Sequence, residues 1–239
     1  MKAALLRWFE QHGRDLPWRR TNDPYAILVS EVMLQQTQVE RVVPRYERWL
    51  ARWPTAASLA AAPAGDVIVE WQGLGYNRRA LNLHRAARFV SEHGWPEDLT
   101  QLPGVGRYTA DAIRAFAFGE SVLPLDTNVL RVRERTGHEF DAECGQALMD
   151  LGRTICIARI PRCHVCPLAG SCPSRGRTYT PLRKQSRFEG SFRQRRAETL
   201  KLIATRARDV QELDAEAVAS LERDGLVERR QGVVALPSE

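Results

Sequence analysis

An all-α fold is predicted for this chain by three features of its 239 residues: apolar side chains recur three and four apart, few segments alternate as strands do, and prolines punctuate the periodic stretches. The periodic segments are Ala3 to Phe9, Ala26 to Val42, Val67 to Trp71, Leu81 to Val90 and Tyr108 to Phe118. Pro17, Pro24, Pro44, Pro54, Pro63, Pro96, Pro103 and Pro124 fall mostly between these segments or at their starts, where a missing N–H does least harm. Up to about Cys156 the pattern is many short helices joined by tight turns.

Composition narrows the function classes. At 44% hydrophobic the chain buries a real core and is not disordered. The N-terminal run MKAALLRWFEQHGRDLPWRR has neither an apolar signal region nor a small-residue cleavage site, and no stretch reaches the roughly 18 apolar residues of a membrane span, so a cytoplasmic location without membrane attachment is expected. Lys+Arg 35 against Asp+Glu 29 gives a net charge of +6, which favours a polyanionic partner but suits many other proteins.

Along the chain, Glu31 interrupts an apolar helix face between Val29 and Met33, where an unpaired carboxyl is costly. It is either a functional acid or a structural partner of an arginine such as Arg19. Leu102-Pro103-Gly104-Val105-Gly106 precedes the helix that begins at Arg107, and its glycines let the backbone turn tightly and approach a ligand. Amides at such a helix start, aided by the helix dipole, can hold one phosphate. Asp126, in Leu125-Asp126-Thr127-Asn128, follows 20 residues later and suits both a helix N-cap and an acid of the site.

Five cysteines in a reducing compartment do not make a disulfide framework. Four of them, Cys156-x6-Cys163-x2-Cys166-x5-Cys172, lie within 17 residues, and thiolates in fours select zinc or an iron-sulfur cluster. Zinc sites usually pair two Cys-x2-Cys knuckles, of which this run has one. With all four sulfurs spent as ligands the centre is structural, and loss of the metal should unfold this end. Cys144 stands apart as an ordinary buried thiol. From Arg175 to Arg208, eleven residues are Lys or Arg: a solvated linker that also suits phosphates. The last segment reads as helix Arg195 to Arg206, helix Asp214 to Asp224 and strands Leu226 to Arg229 and Val233 to Leu236, turning at Gln231 and Gly232. That order resembles a small winged helix, which either binds DNA or packs on the main domain.

Taken together, Leu102 to Arg131 and the cysteine spacing resemble the endonuclease III superfamily of DNA glycosylases, in which helix-hairpin-helix, Asp and four-iron, four-sulfur loop follow in this order. Ser30-Glu31-Val32-Met33-Leu34-Gln35-Gln36-Thr37-Gln38-Val39 and Trp71-Gln72-Gly73-Leu74-Gly75-Tyr76 are similar to the MutY-type adenine glycosylases, and the likeness runs from about Leu16 to Cys172. The resemblance implies a two-lobed fold with DNA bound between the lobes: residues 1–21 and 129–175 form the iron-sulfur lobe, 22–128 the helix-hairpin-helix lobe, and 176–239 a basic linker with the winged-helix-like segment.

It also implies roles. Glu31 protonates the departing base, a task that needs a carboxyl carrying its proton. Asp126 stabilises the sugar cation, as paired carboxyls do in glycosidases. Asn128 holds the site. Tyr108 stands where bifunctional members carry a lysine nucleophile, so the chain is expected to release the base and leave the strand intact. Gln36 and Tyr76 enter the duplex around the orphaned base, replacing lost stacking. Gly104, Gly106 and Arg19 contact DNA, and Cys156, Cys163, Cys166 and Cys172 hold one 4Fe-4S cluster. The implied substrate is double-stranded DNA with adenine opposite 8-oxoguanine or guanine, attacked by a nucleoid-associated monomer. A thymine or uracil glycosylase acting on G:T or G:U, and a non-catalytic damage-binding module, are the alternatives.

Three departures bear on the target base. About 65 residues follow Cys172, too few for the Nudix-like domain that many MutY-type enzymes carry. The stretch from Asp126 to Cys156 is short by roughly two helices' worth of turns, leaving Arg133 to Gln146 as a bridge. Asn77 follows Tyr76 where many relatives have a second tyrosine.

Overall fold

The structure, a computed structural model, describes residues 1–180 and 187–238. Eleven α-helices dominate the described residues: α1 Lys2–His12, α2 Pro24–Leu34, α3 Val39–Arg52, α4 Ala56–Ala60, α5 Ala64–Trp71, α6 Arg78–His93, α7 Arg107–Phe116, α8 Thr127–Thr136, α9 Gly145–Thr154, α10 Phe192–Thr205 and α11 Ala215–Arg223. The all-α expectation holds for the body of the chain. None of these helices is long and apolar enough to cross a membrane.

The expected segment Ala26 to Val42 is two helices. The polar run Gln35 to Gln38 separates α2 from α3, and Gln36 takes a left-handed conformation at φ 55° that ends the first. Helical periodicity alone does not register one reversed residue. Every residue of α2 from Tyr25 to Met33 is buried, as suits a helix apolar on all sides.

Two compact units result. One contains Met1–Ile27 and the chain from Gly106 through the cysteine region; the other contains Leu28–Val105 and the C-terminal segment. The division falls inside α2 and at Gly106, whereas the sequence suggested lobes divided at residues 22 and 129. In the first unit, Leu5 of α1, Val129 and Val132 of α8, and Leu148 and Leu151 of α9 share one core with Phe140 and Leu168. Cys144 is fully buried there, as expected of a packing thiol. Gly152 lets α9 approach the first turn of α8: a Cβ on it would stand 2.6 Å from the Asn128 Cβ.

In the second unit, Trp49 and Trp71 are fully buried and meet edge to face at 5.5 Å. The C-terminal segment has a winged-helix order, with a three-stranded sheet β1-β3-β2 formed by β1 Arg208–Asp209, β2 Glu228–Arg230 and β3 Val233–Ala235. Gln231 and Gly232 form its two-residue hairpin, both at positive φ as a tight hairpin turn requires. β1 was not expected; two residues are too few for a periodic signal.

Of the two readings of this segment, packing is what the structure displays. Leu200, Ile203, Val218, Leu221, Leu226 and Val234 share a core with Ala64 and Ile68 of α5 and Leu81 of α6. The Gly65 N–H also donates to the Pro237 carbonyl. Much of its basic charge is spent internally. Arg195 pairs with Asp214 and Glu216, Arg196 with Asp224, and Arg229 with Glu222. Arg183 and Lys184 of the basic stretch lie outside the described residues.

Candidate active site and cysteine centre

Asp126 is the N-cap of α8: one oxygen accepts from the Val129 N–H at 2.6 Å, the other from Asn128 Nδ2 at 2.7 Å. Capping does not exhaust the carboxylate, which has more lone pairs than these two bonds use. Asn128 is itself fixed. Its Oδ1 accepts from Arg131 Nη2 at 2.7 Å, and the same guanidinium donates to the Gly152 carbonyl at 2.7 Å and the Cys156 carbonyl at 2.7 Å. A continuous chain of hydrogen bonds thus runs from Asp126 to the backbone of the first clustered cysteine. Partial burial lowers the Arg131 pKa from its usual value.

Cys156, Cys163, Cys166 and Cys172 all line one cavity, whose remaining wall includes Val132, Leu151, Ile155 and Leu168. Among the described residues no three His, Cys, Asp or Glu side chains converge as around a single metal ion. The four sulfurs line a shared space, and thiolates in fours suit either zinc or an iron-sulfur cluster. Burial, assisted by the other three sulfurs, raises the Cys166 thiol. Arg135, 6% exposed, braces the loop: it donates to the carbonyls of Ile157 (2.8 Å) and Ala158 (2.7 Å), lies 3.5 Å from Cys156 Sγ, and stacks on the Tyr179 ring at 3.7 Å. A cation against a cysteine sulfur offsets the negative charge of thiolate ligands.

Tyr108 is half-buried in the first turn of α7. No side chain caps that helix; its N-cap is Gly106, where an added Cβ would meet nothing within 4 Å. No described residue demands glycine there, and the space beside it is open. Arg19, expected among the DNA contacts, is instead committed to Asp150. Both of its terminal nitrogens bond that fully buried carboxylate, at 2.8 and 2.9 Å, and Arg14 bonds it as well. Burial would raise the Asp150 pKa, but the hydrogen bonds from Arg19 and Arg14 outweigh it and hold the carboxyl below its ordinary range.

In the second unit, Glu31 is 5% exposed on α2. Gln36 and Tyr76 are both exposed and both left-handed, at φ 55° and 48°. Such backbone costs a non-glycine residue about 1–2 kcal/mol. Gly104 also has positive φ, 79°, and a Cβ there would press on the Asn82 Cβ at 2.8 Å, so this glycine is required twice over. The structure thus brings together Asp126, Asn128 and the cysteine loop in one unit, and carries Glu31, Gln36, Tyr76 and Gly104 in the other.

The family described as HhH-GPD superfamily base excision DNA repair protein matches residues 29–142. The adenine DNA glycosylase of Mycobacterium tuberculosis (strain ATCC 25618 / H37Rv) is 39% identical, over 98% of this chain and 93% of its own length. The chain belongs to the HhH-GPD superfamily of base excision DNA repair proteins. Human adenine DNA glycosylase is 38% identical over 74% of this chain and 39% of its own length. Among solved structures, a thermostable thymine-DNA glycosylase superposes with a TM-score of 0.66 at 27% identity, covering 72% of this chain and 94% of that one. A trapped endonuclease III–DNA covalent intermediate shares the fold, with a TM-score of 0.62 at 24% identity, over 72% and 92% of the two chains. The mycobacterial alignment spans 287 positions against the 239 residues here, so that relative carries extra residues within the matched span.

Within this HhH-GPD chain, sequence reasoning passed over Arg131, Arg135 and Gly152. Arg131 carried a usable signal, lying three residues after Asn128 on the same helix face. Arg135 and Gly152 act across 20 or more residues of sequence, and no local pattern marks them.

Proposed function

We propose that the chain is a monofunctional adenine DNA glycosylase, acting as a monomer on double-stranded DNA with adenine opposite 8-oxoguanine or guanine. The observation that carries this reading is the near end-to-end likeness to an adenine DNA glycosylase in a chain whose Asp126 is held by Val129 and Asn128. Glu31, on its buried helix, gives a proton to the departing base. As the bond from base to C1′ breaks, the Asp126 carboxylate faces the developing sugar cation, and water completes the hydrolysis. Asn128 keeps Asp126 oriented. Tyr108 has no amine to form a Schiff base, so an abasic site in an intact strand is the product. Gly106 and the uncapped start of α7 hold a phosphate, Gly104 shapes the turn, and Gln36 and Tyr76 enter the duplex. The four clustered cysteines hold a 4Fe-4S cluster, which supplies a structural clamp on the loop rather than a reacting group. The enzyme works in the cytoplasm at the nucleoid.

A thymine glycosylase is the second reading, favoured by the thymine-DNA glycosylase neighbour. Single-turnover excision from A:8-oxoguanine, A:G, T:G and U:G duplexes separates the two; release of thymine alone would overturn the adenine reading. Asp126→Asn keeps a good N-cap. It is expected to retain DNA binding and stability while losing base release by about 10³-fold or more. Undiminished product would remove Asp126 from the chemistry, whereas a parent chain that binds these duplexes and releases no base would favour a binding module.

A further inference from the structure

Among the described residues only three non-glycine residues have positive φ: Gln36, Tyr76 and Gln231. Gln231 sits in a two-residue hairpin, where that conformation is ordinary. Gln36 and Tyr76 occupy two separate loops, and both leave their side chains exposed.

One buried guanidinium joins these loops. Arg79, near the start of α6 and 9% exposed, donates through Nη1 to the carbonyls of Val32 (2.7 Å), Met33 (3.1 Å) and Gln35 (2.7 Å). Through Nη2 it donates to Thr37 Oγ1 (3.1 Å) and the carbonyls of Leu74 (3.2 Å) and Gly75 (2.9 Å). Gln36 is therefore bracketed on both sides, by Gln35 and Thr37. Tyr76 is bracketed as well: Leu74 and Gly75 precede it, its carbonyl accepts from the Arg79 N–H at 2.9 Å, and its ring lies 5.7 Å from the guanidinium carbon. Two of the Nη1 bonds fall on Val32 and Met33 in the last turn of α2, at the negative end of its dipole, and the third on Gln35 just beyond it.

The six side-chain bonds end on five main-chain carbonyls and one hydroxyl. Burial pushes the Arg79 guanidinium down to about 10, which leaves it charged at neutral pH. A planar fork meets this set of acceptors; the three donors of a lysine ammonium cannot.

We propose that Arg79 is a positioning residue that sets Gln36 and Tyr76 together in the conformations from which they enter DNA around the unpaired base. The assignment rests on the reading of Gln36 and Tyr76 as inserting side chains. Arg79 itself touches neither base nor sugar; it acts through the two loops.

The test uses the full chain and an A:8-oxoguanine duplex with 2-aminopurine next to the opposite base, whose fluorescence rises on unstacking. Tyr76→Ala and Gln36→Ala set the reference. Arg79→Lys is expected to raise the half-saturating enzyme concentration about tenfold, with the plateau rate of single-turnover excision kept within about twofold. The fluorescence rise should fall to the Tyr76→Ala level. The double variant Arg79→Lys/Tyr76→Ala should bind no worse than Tyr76→Ala alone, because the two changes break one interaction. Should Arg79→Lys fail to fold by circular dichroism, Thr37→Val, which removes one arm of the bridge at constant shape, takes its place. Unchanged binding, or weakening that adds in full to that of Tyr76→Ala, would overturn the positioning role. If instead Tyr76→Ala and Gln36→Ala both leave binding and fluorescence unchanged, the insertion reading fails, and the role of Arg79 fails with it.

Discussion

Replacing Arg131 with methionine would cut the hydrogen-bond chain between Asp126 and the cysteine loop while keeping most of the side chain's apolar stem. Three bonds of 2.7 Å disappear, to Asn128, Gly152 and Cys156. Charge-assisted bonds contribute about 1.5–3 kcal/mol each in isolation, but water reaches this partly buried site, so a net stability loss of about 2 kcal/mol is expected. The kinetic effect should be larger in proportion. Asn128 loses the guanidinium that holds its Oδ1, and a carboxylate displaced by about 1 Å from its working position costs roughly 10²-fold in rate. That corresponds to about 2.7 kcal/mol of transition-state stabilisation. Single-turnover excision at saturating enzyme reads the chemical step, circular dichroism melting reads stability, and iron content reads the cysteine loop. A variant with full iron, a melting point lowered by several degrees and a rate within threefold of the parent would refute the claim that Arg131 orients Asp126.

Gly152→Ala should act on the same group from the other side. Its Cβ would press on Asn128, so overpacking of about 1–3 kcal/mol and a fall in excision rate are expected, checked by urea denaturation and the same kinetic assay. Asp150→Asn leaves two arginines facing a buried neutral amide, and destabilisation of about 3 kcal/mol by urea denaturation is expected. Because the folded-state pKa of Asp150 lies below its unfolded value, its contribution is present above roughly pH 4 and is lost as pH falls through the folded value. The parent should therefore lose stability in acid more steeply than Asp150→Asn. Cys163→Ser removes one sulfur from the cavity; iron and sulfide content should fall, and the first unit should melt earlier than the parent.

The helices were legible where apolar periodicity was strong, as in α6 and α7, and the hairpin's Gly104 was legible because positive φ leaves few other residues. Asp126 was legible as a cap, since Asp is a favoured residue at a helix start. The α2 to α3 break was hidden because Gln36 obeys no local rule; it is held left-handed by Arg79, 43 residues away. The family likeness placed Arg19 among the DNA contacts, and no local pattern shows its partner Asp150, which lies 131 residues on, in α9. The cysteine spacing disclosed the four sulfurs, yet not Arg135, whose bonds run to carbonyls of the loop rather than to any motif.

The core that joins the C-terminal segment to α5 and α6 bears on how the chain acquires its structure during synthesis. Ile68 and Leu81 are covered by Leu200, Ile203 and Leu221, more than 100 residues later in the sequence. Until the ribosome has delivered α10 and α11, that helical surface stays wet and adhesive. Closing so long a loop slows folding and lengthens the exposure of sticky intermediates. A premature stop anywhere before α10 would therefore yield an aggregating product even though every residue discussed for base removal had already been made.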